Sequence, residues 1–229
     1  PVPTVNSAVA KQSLISRSFI TAILSDRRKG RAMPRSALDD TGLDLLFRDA
    51  RTQNSWHPEP VSDDTLHKIF DLLKMAPTSA NCSPARFVFV ATPEGKEKLR
   101  PALPAGNLDK TMSAPVTVII AHDMRFYEHL PELFPHTDAK AWFTGNDDLV
   151  TETALRNGTL QGGYLMMAAR SLGLDCGPMS GFDVDMVNTT FFPDGRFKVN
   201  FLCNIGYGDD KSVHPRGPRF DFHQACEVI

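Results

Sequence analysis

Apolar positions recur at helical spacing in two early stretches. Leu43, Leu46, Phe47 and Ala50 share one face behind Asp40 or Thr41, either of which can cap a helix. Leu66, Ile69, Phe70, Leu73 and Met75 repeat the pattern behind Ser62, and Pro77 ends it because a proline neither donates a backbone hydrogen bond nor fits behind a helical turn. The period then changes. Residues 87–91, 116–121 and 201–208 are near-continuous apolar runs, the last ending in glycines, and such runs predict strands covered by helices on both faces. Residues 93–103 read as helical between the first two. Residues 123–147 are irregular and aromatic, with Phe126, Tyr127, Phe134, Trp142 and Phe143 among Pro, His and Gly. The longest helical pattern covers 148–172, and its centre, residues 158–164, is unusually small. A glycine inside a helix costs about 1 kcal/mol against alanine, so close helix–helix approach is the expected compensation, either across a subunit interface or within one subunit. Residues 173–183 read as a connection, after which Asp183 caps a helix through Val184, Met186 and Val187. A short helix is expected near Gln224.

The N-terminal residues stand apart. Residues 1–32 carry Asp26 against Lys11, Arg17, Arg27, Arg28, Lys29 and Arg31, and their apolar patch precedes the charges, the wrong order for a secretory signal. A mitochondrial transit peptide and a disordered leader both fit this composition. The leader is the favoured reading, over residues 1–36, with Met33 as an alternative start and residues 37–229 as a single domain. The whole chain is 41% hydrophobic and 23% charged with a formal net charge of −2, so neither nucleic acid nor an anionic membrane surface is an expected partner, and small molecules are. Cys82, Cys176, Cys203 and Cys226 lie far apart with no Cys-x-x-Cys or paired His spacing, which fits a reducing cytoplasm and offers no metal site.

Several familiar signatures fail. Gly206-Tyr207-Gly208 has no third glycine opening a helix, so it is not a dinucleotide fingerprint. Gly177, Ser180 and Gly181 are off register for a hydrolase elbow. Cys82 has no base beside it, and His122 reads as a satisfied residue at the core edge. What remains is the stretch Ala76-Pro77-Thr78-Ser79-Ala80-Asn81-Cys82-Ser83-Pro84-Ala85-Arg86-Phe87. It is a small, hydroxyl- and amide-rich turn between an amphipathic helix and a strand, suited to a backbone laid against a planar ligand.

That stretch resembles the Ala-Pro-Ser-x-x-Asn-x-Gln-Pro-Trp segment of the FMN-dependent nitroreductase family. Two further segments are similar to that family in the same order. Arg51-Thr52-Gln53-Asn54-Ser55-Trp56 resembles its Arg-Arg-Ser-x-Arg-x-Phe segment, and Gly177-Pro178-Met179-Ser180-Gly181-Phe182-Asp183 its Pro-x-x-Gly-Phe turn. The combination, with the wording of residues 77–86 and 177–183, is similar to the malonic semialdehyde reductase branch from pyrimidine degradation. The resemblance implies an α+β, three-layer α/β/α fold with a mostly antiparallel central sheet, and an intertwined homodimer with FMN at the subunit interface. It implies phosphate contacts from Arg51 and Arg219, with Arg216 weaker and Thr52 adding a hydroxyl. Asn81 and Asn54 would meet the ring edge or ribityl chain, Asn54 replacing a basic residue of the family. Pro77, Thr78 and Ser79 would lie against one ring face, and Pro178, Met179, Ser180 and Gly181 near the ring nitrogen N5. Trp142 and Phe143 of a lid from the neighbouring subunit, and Arg86 at the mouth, are the candidate substrate contacts.

The activity so implied is a ping-pong hydride transfer in which NAD(P)H is the co-substrate and malonic semialdehyde becomes 3-hydroxypropionate. The alternatives are a broad nitroaromatic or quinone reductase on the same scaffold and a flavin-binding or regulatory protein without turnover. No proton donor is assignable: His129, His136, solvent and a flavin hydroxyl are all open.

Overall fold

Every residue of the apolar run Val116–Asp123 is buried, which makes it the middle of a sheet. In the computed structural model, which describes residues 36–229, it is strand β2, flanked by β1 (Ala85–Val90) and β4 (Phe197–Gly206), with β3 (Asp175–Met179) beyond β4. All three pairings are antiparallel, with Phe87 opposite Ile120, Ile120 opposite Phe201 and Pro178 opposite Cys203. The leader expected over residues 1–36, with Met33, lies outside the described residues except for Ser36. The residues from Asp40 to Ile229 pack as one unit.

Because strand side chains alternate, β2 feeds two cores. Val116, Val118 and Ile120 pack with Leu66, Ile69 and Leu73 of helix α2 (Asp63–Leu73) and with Leu165 and Ala169 of helix α6 (Asp147–Ser171). Ile119 and Ala121 pack on the opposite face with Leu99, Val187 and Leu202. Leu99 ends α3 (Pro93–Leu99) and Val187 lies in α7 (Val184–Phe191). The expected three-layer arrangement of helices around an antiparallel sheet is therefore present. Ser62 caps α2 by accepting from Thr65 N, and Asp183 caps α7 by accepting from Met186 N.

Some expectations are corrected. The first helix is short: α1 (Asp40–Leu43) runs into a π-helical turn, Asp44–Arg48, and neither buries a residue, so its apolar face is not a core face. Phe70 in α2 and Met75, in the turn just after it, keep the period yet are exposed. The expected connection over 173–183 contains an edge strand, β3, and a further helix, α4 (Ala105–Met112), follows Pro104. Two of the three glycines at the centre of α6 serve helix-on-sheet packing: a Cβ at Gly162 would lie 2.6 Å from Phe201 Cζ and one at Gly158 3.1 Å from His122 Cβ, whereas nothing lies within 4 Å of one at Gly163. His122 itself is not satisfied, since its buried Nδ1 has no partner, and burial lowers its pKa.

Two buried ionisable groups stand out. Asp123, fully buried, accepts from Arg86 at 2.8 Å, from Arg196 Nε and a terminal nitrogen at 3.0 Å each, and from Arg125 N at 2.8 Å. Asp123→Asn keeps the shape but loses the charge that both guanidiniums answer. We expect it to lower stability by about 2 kcal/mol in urea unfolding, less than a fully sealed pair because the arginines reach water.

Lys96 of α3 is 5% exposed. Its Nζ donates to Thr111 O at 2.7 Å and Thr117 Oγ1 at 2.5 Å, and burial pulls its pKa down from 10.5 to about 7. A lysine whose folded pKa is depressed costs stability where both states are protonated and ceases to do so as pH rises past the folded pKa. Its contribution to stability should therefore improve between about pH 7 and 10.5, by roughly 1 kcal/mol per pH unit. Lys96→Met should flatten that slope in the difference between the two unfolding curves, and parallel curves would contradict it.

Candidate functional site

Residues 51–56 are strapped across the ends of two strands. Thr52 bridges to Cys176 and Trp56 to Gly208, and Gln53 N donates to Cys176 O at 3.0 Å. The strap is pinned by its side chains as well: Gln53 Nε2 donates to Asp210 at 3.0 Å, and Trp56 Nε1 to Lys110 O at 3.0 Å. Glycine at 177 permits the crossing, because a Cβ there would lie 2.6 Å from Gln53 O.

At the end of this strap lies a cavity of about 570 Å³. It brings Arg51, Thr52 and Asn54 together with Arg216 and Arg219, distant in sequence; all but Asn54 are expected at the phosphate, and Asn54 at the ring edge or ribityl chain. Arg51 donates to His214 O, and Arg216 to Arg48 O and, at 3.2 Å, to Ala50 O. Arg219 turns onto the carbonyls of Gly217 and Pro218 at 2.9 and 3.0 Å. Sequence reasoning missed Arg170, which lines the same cavity from the last turn of α6 and donates to Leu46 O at 3.3 Å. Nothing distinguishes it in sequence from a surface charge. Among the described residues no acid lines the cavity, and four guanidiniums bonded there only to neutral carbonyls keep a strong attraction for an anion with several oxygens.

The turn at 77–86 is strained and held. Ala80, Asn81 and Ser83 have φ of 49°, 50° and 38° without being glycine. Left-handed backbone at such residues costs about 1–3 kcal/mol each and persists only where the surroundings impose it. Here the buried amides of α6 do so: Asn157 Oδ1 accepts from Ser79 N and Gln161 Oε1 from Ala85 N, both at 2.9 Å. Thr78 Oγ1 accepts from Ser83 N at 3.1 Å, and Asn81 Nδ2 donates to Leu133 O at 2.9 Å. Cys82 is buried and its thiol is pushed up to about 11 by that burial, which makes it an inert packing residue.

The turn after β3 carries Pro178 and Met179 in the strand itself, then Ser180, exposed, and Gly181, whose carbonyl accepts from Asn107 Nδ2 at 2.5 Å. Neither this turn nor residues 77–81 line the arginine cavity within the single chain.

The substrate contacts expected in the aromatic segment divide. Trp142 is 51% exposed, whereas Phe143 is buried, its ring edge-on to Phe126 at 4.9 Å, so its surface is taken up by packing. Arg86 bonds Asp123 and the carbonyls of Ser83 and Ala85 under the strained turn, and it also lines a second cavity with His129 and Gln161. His129 itself lies 3.3 Å from Arg196. Among the described residues no group of His, Cys, Asp and Glu is arranged to hold a metal ion.

Residues 48–207 match the nitroreductase family. A Ralstonia nicotianae protein provisionally named NADH dehydrogenase/NAD(P)H nitroreductase is 57% identical over 192 residues, covering 84% of this chain and 98% of its own. A Polynucleobacter asymbioticus protein with the same provisional name is 58% identical over 194 residues, covering 85% and 99%. Among solved structures, a provisionally named nitroreductase of Bacillus subtilis superposes with a TM-score of 0.76 at 22% identity, over 83% of this chain and 100% of that one. Another from Exiguobacterium sibiricum, solved in complex with FMN, gives 0.74 at 18% identity over 86% and 100%.

Proposed function

Since the chain belongs to the nitroreductase family, we propose that it is an NAD(P)H-dependent FMN oxidoreductase whose arginine cavity holds the phosphate of the flavin. The observation that carries this reading is the convergence of Arg51, Thr52, Arg216 and Arg219, joined by Arg170, on one concave site without a carboxylate. A phosphate monoester near −2 suits that donor set. Asn54 also lines this site, and its amide would bond the ring edge or the ribityl chain. The strained turn of Pro77, Thr78, Ser79 and Asn81 would lie along one side of the ring, and Pro178, Met179, Ser180 and Gly181 along the N5 edge. Bound FMN would supply the chemistry, taking a hydride from NAD(P)H and passing it to an acceptor. The protein would supply proximity, a fixed approach and a water-poor surface. The single domain spans residues 37–229 in this reading.

A homodimer completes it. Leu155, Leu160 and Tyr164 of α6, and Phe220, Phe222 and Val228 near the C-terminus, are large apolar residues left exposed in one chain. They support a subunit interface that brings Trp142 of one chain toward the flavin of the other. No described helix is long and apolar enough to cross a membrane, and with Cys82, Cys176 and Cys203 as buried free thiols the reading places the enzyme in the cytoplasm.

For the acceptor we favour malonic semialdehyde, reduced to 3-hydroxypropionate, on the wording of residues 77–86 and 177–183. A nitroaromatic or quinone acceptor is the second reading, favoured by the names of the relatives above 55% identity. Absorbance of the purified protein tests the flavin: bands near the visible maxima of oxidised flavin that bleach with NAD(P)H are expected, and a colourless protein that ignores added FMN would end the proposal. Side-by-side turnover of malonic semialdehyde, nitrofurazone and menadione then separates the acceptors, the aldehyde being expected to show the highest kcat/KM.

A further inference from the structure

A buried polar chain runs from α3 to the turn that follows β3. Lys96 enters it with no carboxylate hydrogen-bonded to it, and two of its ammonium donors go to Thr111 O, at the last turn of α4, and to Thr117 Oγ1 on β2. The Thr117 hydroxyl donates to Asn204 Oδ1 at 2.7 Å. Asn204 Nδ2 returns to α4, at 3.2 Å from Lys110 O and 3.4 Å from Thr111 Oγ1. Thr111, fully buried, directs its hydroxyl at Met179 Sδ, 3.5 Å away. The other end of α4 grips the same turn through Asn107 and the Gly181 carbonyl at 2.5 Å. The C-terminal carbonyls of a helix have no partner of their own within it, and they carry its negative end. A buried lysine nitrogen, which keeps at least two N–H donors whether charged or neutral, can fix them.

We propose that Lys96 is a positioning residue for residues 179–181: it anchors the C-terminal end of α4, and α4 holds the turn at two points. The hydrogen bonds of Lys96 go to Thr111 and Thr117 and none to residues 179–181, so its effect passes through Thr111, Asn204 and the helix. The consequence for hydride transfer rests on the reading that this turn borders the flavin. The anchoring itself does not.

The test uses the full chain without FMN first. Hydrogen exchange is followed at the Phe182 and Asp183 amides, which donate to Ser180 O and Ala102 O at 3.1 and 2.8 Å, and at Ile119 and Leu202 in the sheet as internal controls. Lys96→Met should speed exchange at the first pair about tenfold, the loss expected of one buried hydrogen bond, and leave the second pair unchanged. Adding Asn107→Ala should raise exchange less than the product of the two single effects, because both act on the same turn. Uniform acceleration at all four amides, or none at the first pair, would overturn the proposal. If Lys96→Met does not accumulate as folded protein, Thr117→Val keeps the lysine and breaks its link to Asn204. It should show the same local pattern at lower amplitude, and no local change there would equally overturn the proposal.

With FMN added, Lys96→Met should bind the cofactor within about threefold of wild type, while reduction by NAD(P)H slows about tenfold or more from misplacement of the turn. An unaltered reduction rate in a variant with a loosened turn would remove the catalytic consequence. Failure of the wild-type protein to bind FMN would remove the function proposed above and leave the exchange result standing.

Discussion

Arg51→Ala combined with Arg219→Ala should purify without flavin and bind added FMN at least about a hundredfold more weakly than the wild type. A charge-assisted hydrogen bond to phosphate contributes about 1.5–3 kcal/mol, so removing two lowers affinity by a factor on the order of 10²–10⁴. Folding should survive, because the visible duties of these side chains are bonds to exposed carbonyls: Arg51 to His214 O, and Arg219 to Gly217 O and Pro218 O. Arg51→Lys keeps the charge and loses the planar fork, so it should fall between wild type and alanine. Titration of FMN fluorescence with the far-ultraviolet circular dichroism held as a control reads the effect. A double variant that binds within threefold of wild type would show that the cavity is not the phosphate site.

Gly177→Ala should be the most damaging single methyl in the fold. The new carbon would sit 2.6 Å from the Gln53 carbonyl oxygen and 3.3 Å from Trp56 Cζ2. The first of these is backbone and cannot rotate away. Relief requires lifting residues 51–56 off β3 and breaking the Gln53 N–Cys176 O bond at 3.0 Å. Overpacking of this kind costs about 3 kcal/mol, which for a domain of this size lowers Tm by roughly 6–12 °C. Flavin affinity should drop as well, because Arg51 and Thr52 ride on the displaced strap. Gly106→Ala in α4 is the contrasting change. Nothing lies within 4 Å of its new carbon, so it should be neutral or stabilise the helix by up to about 1 kcal/mol. Equal Tm values for the Gly177 variant and the wild type would refute the close crossing.

The parts legible in sequence are those specified by neighbours along the chain. Ser62 and Asp183 cap helices because a short side-chain oxygen reaches an unpaired backbone N–H two or three residues on, a relation visible in one dimension. The buried run of β2 is likewise self-announcing. Strand β3 is not: Asp175-Cys176-Gly177-Pro178-Met179 carries the Gly-Pro pair that normally marks a turn. It is extended because β4 pairs with it, and the missing side chain at 177 is what lets the strap cross. Helix α4 has a weak apolar pattern and gains its definition from Lys96, Asn204 and Trp56 gathering its last carbonyls. Phe70 and Phe47 obey helical periodicity and still face outward, since a period identifies a face without saying what covers it. The arginine cavity was readable for Arg51, Arg216 and Arg219 through the family resemblance, while Arg170 needed the fold. Arg86 has a duty that only the fold shows, since Asp123, the acid it bonds, lies 37 positions away in sequence.

The arginine cavity also has a timetable. Arg51 is among the earlier residues of the described chain to leave the ribosome, and His214, whose carbonyl it grips, is among the later ones. Between them the chain must join β2 to β4, closing a loop of some eighty residues, a slow and entropically costly event. A chain halted before Arg216 has all four strands yet lacks Arg216 and Arg219, so under the proposed reading it would hold FMN weakly until the segment through Arg219 is in place.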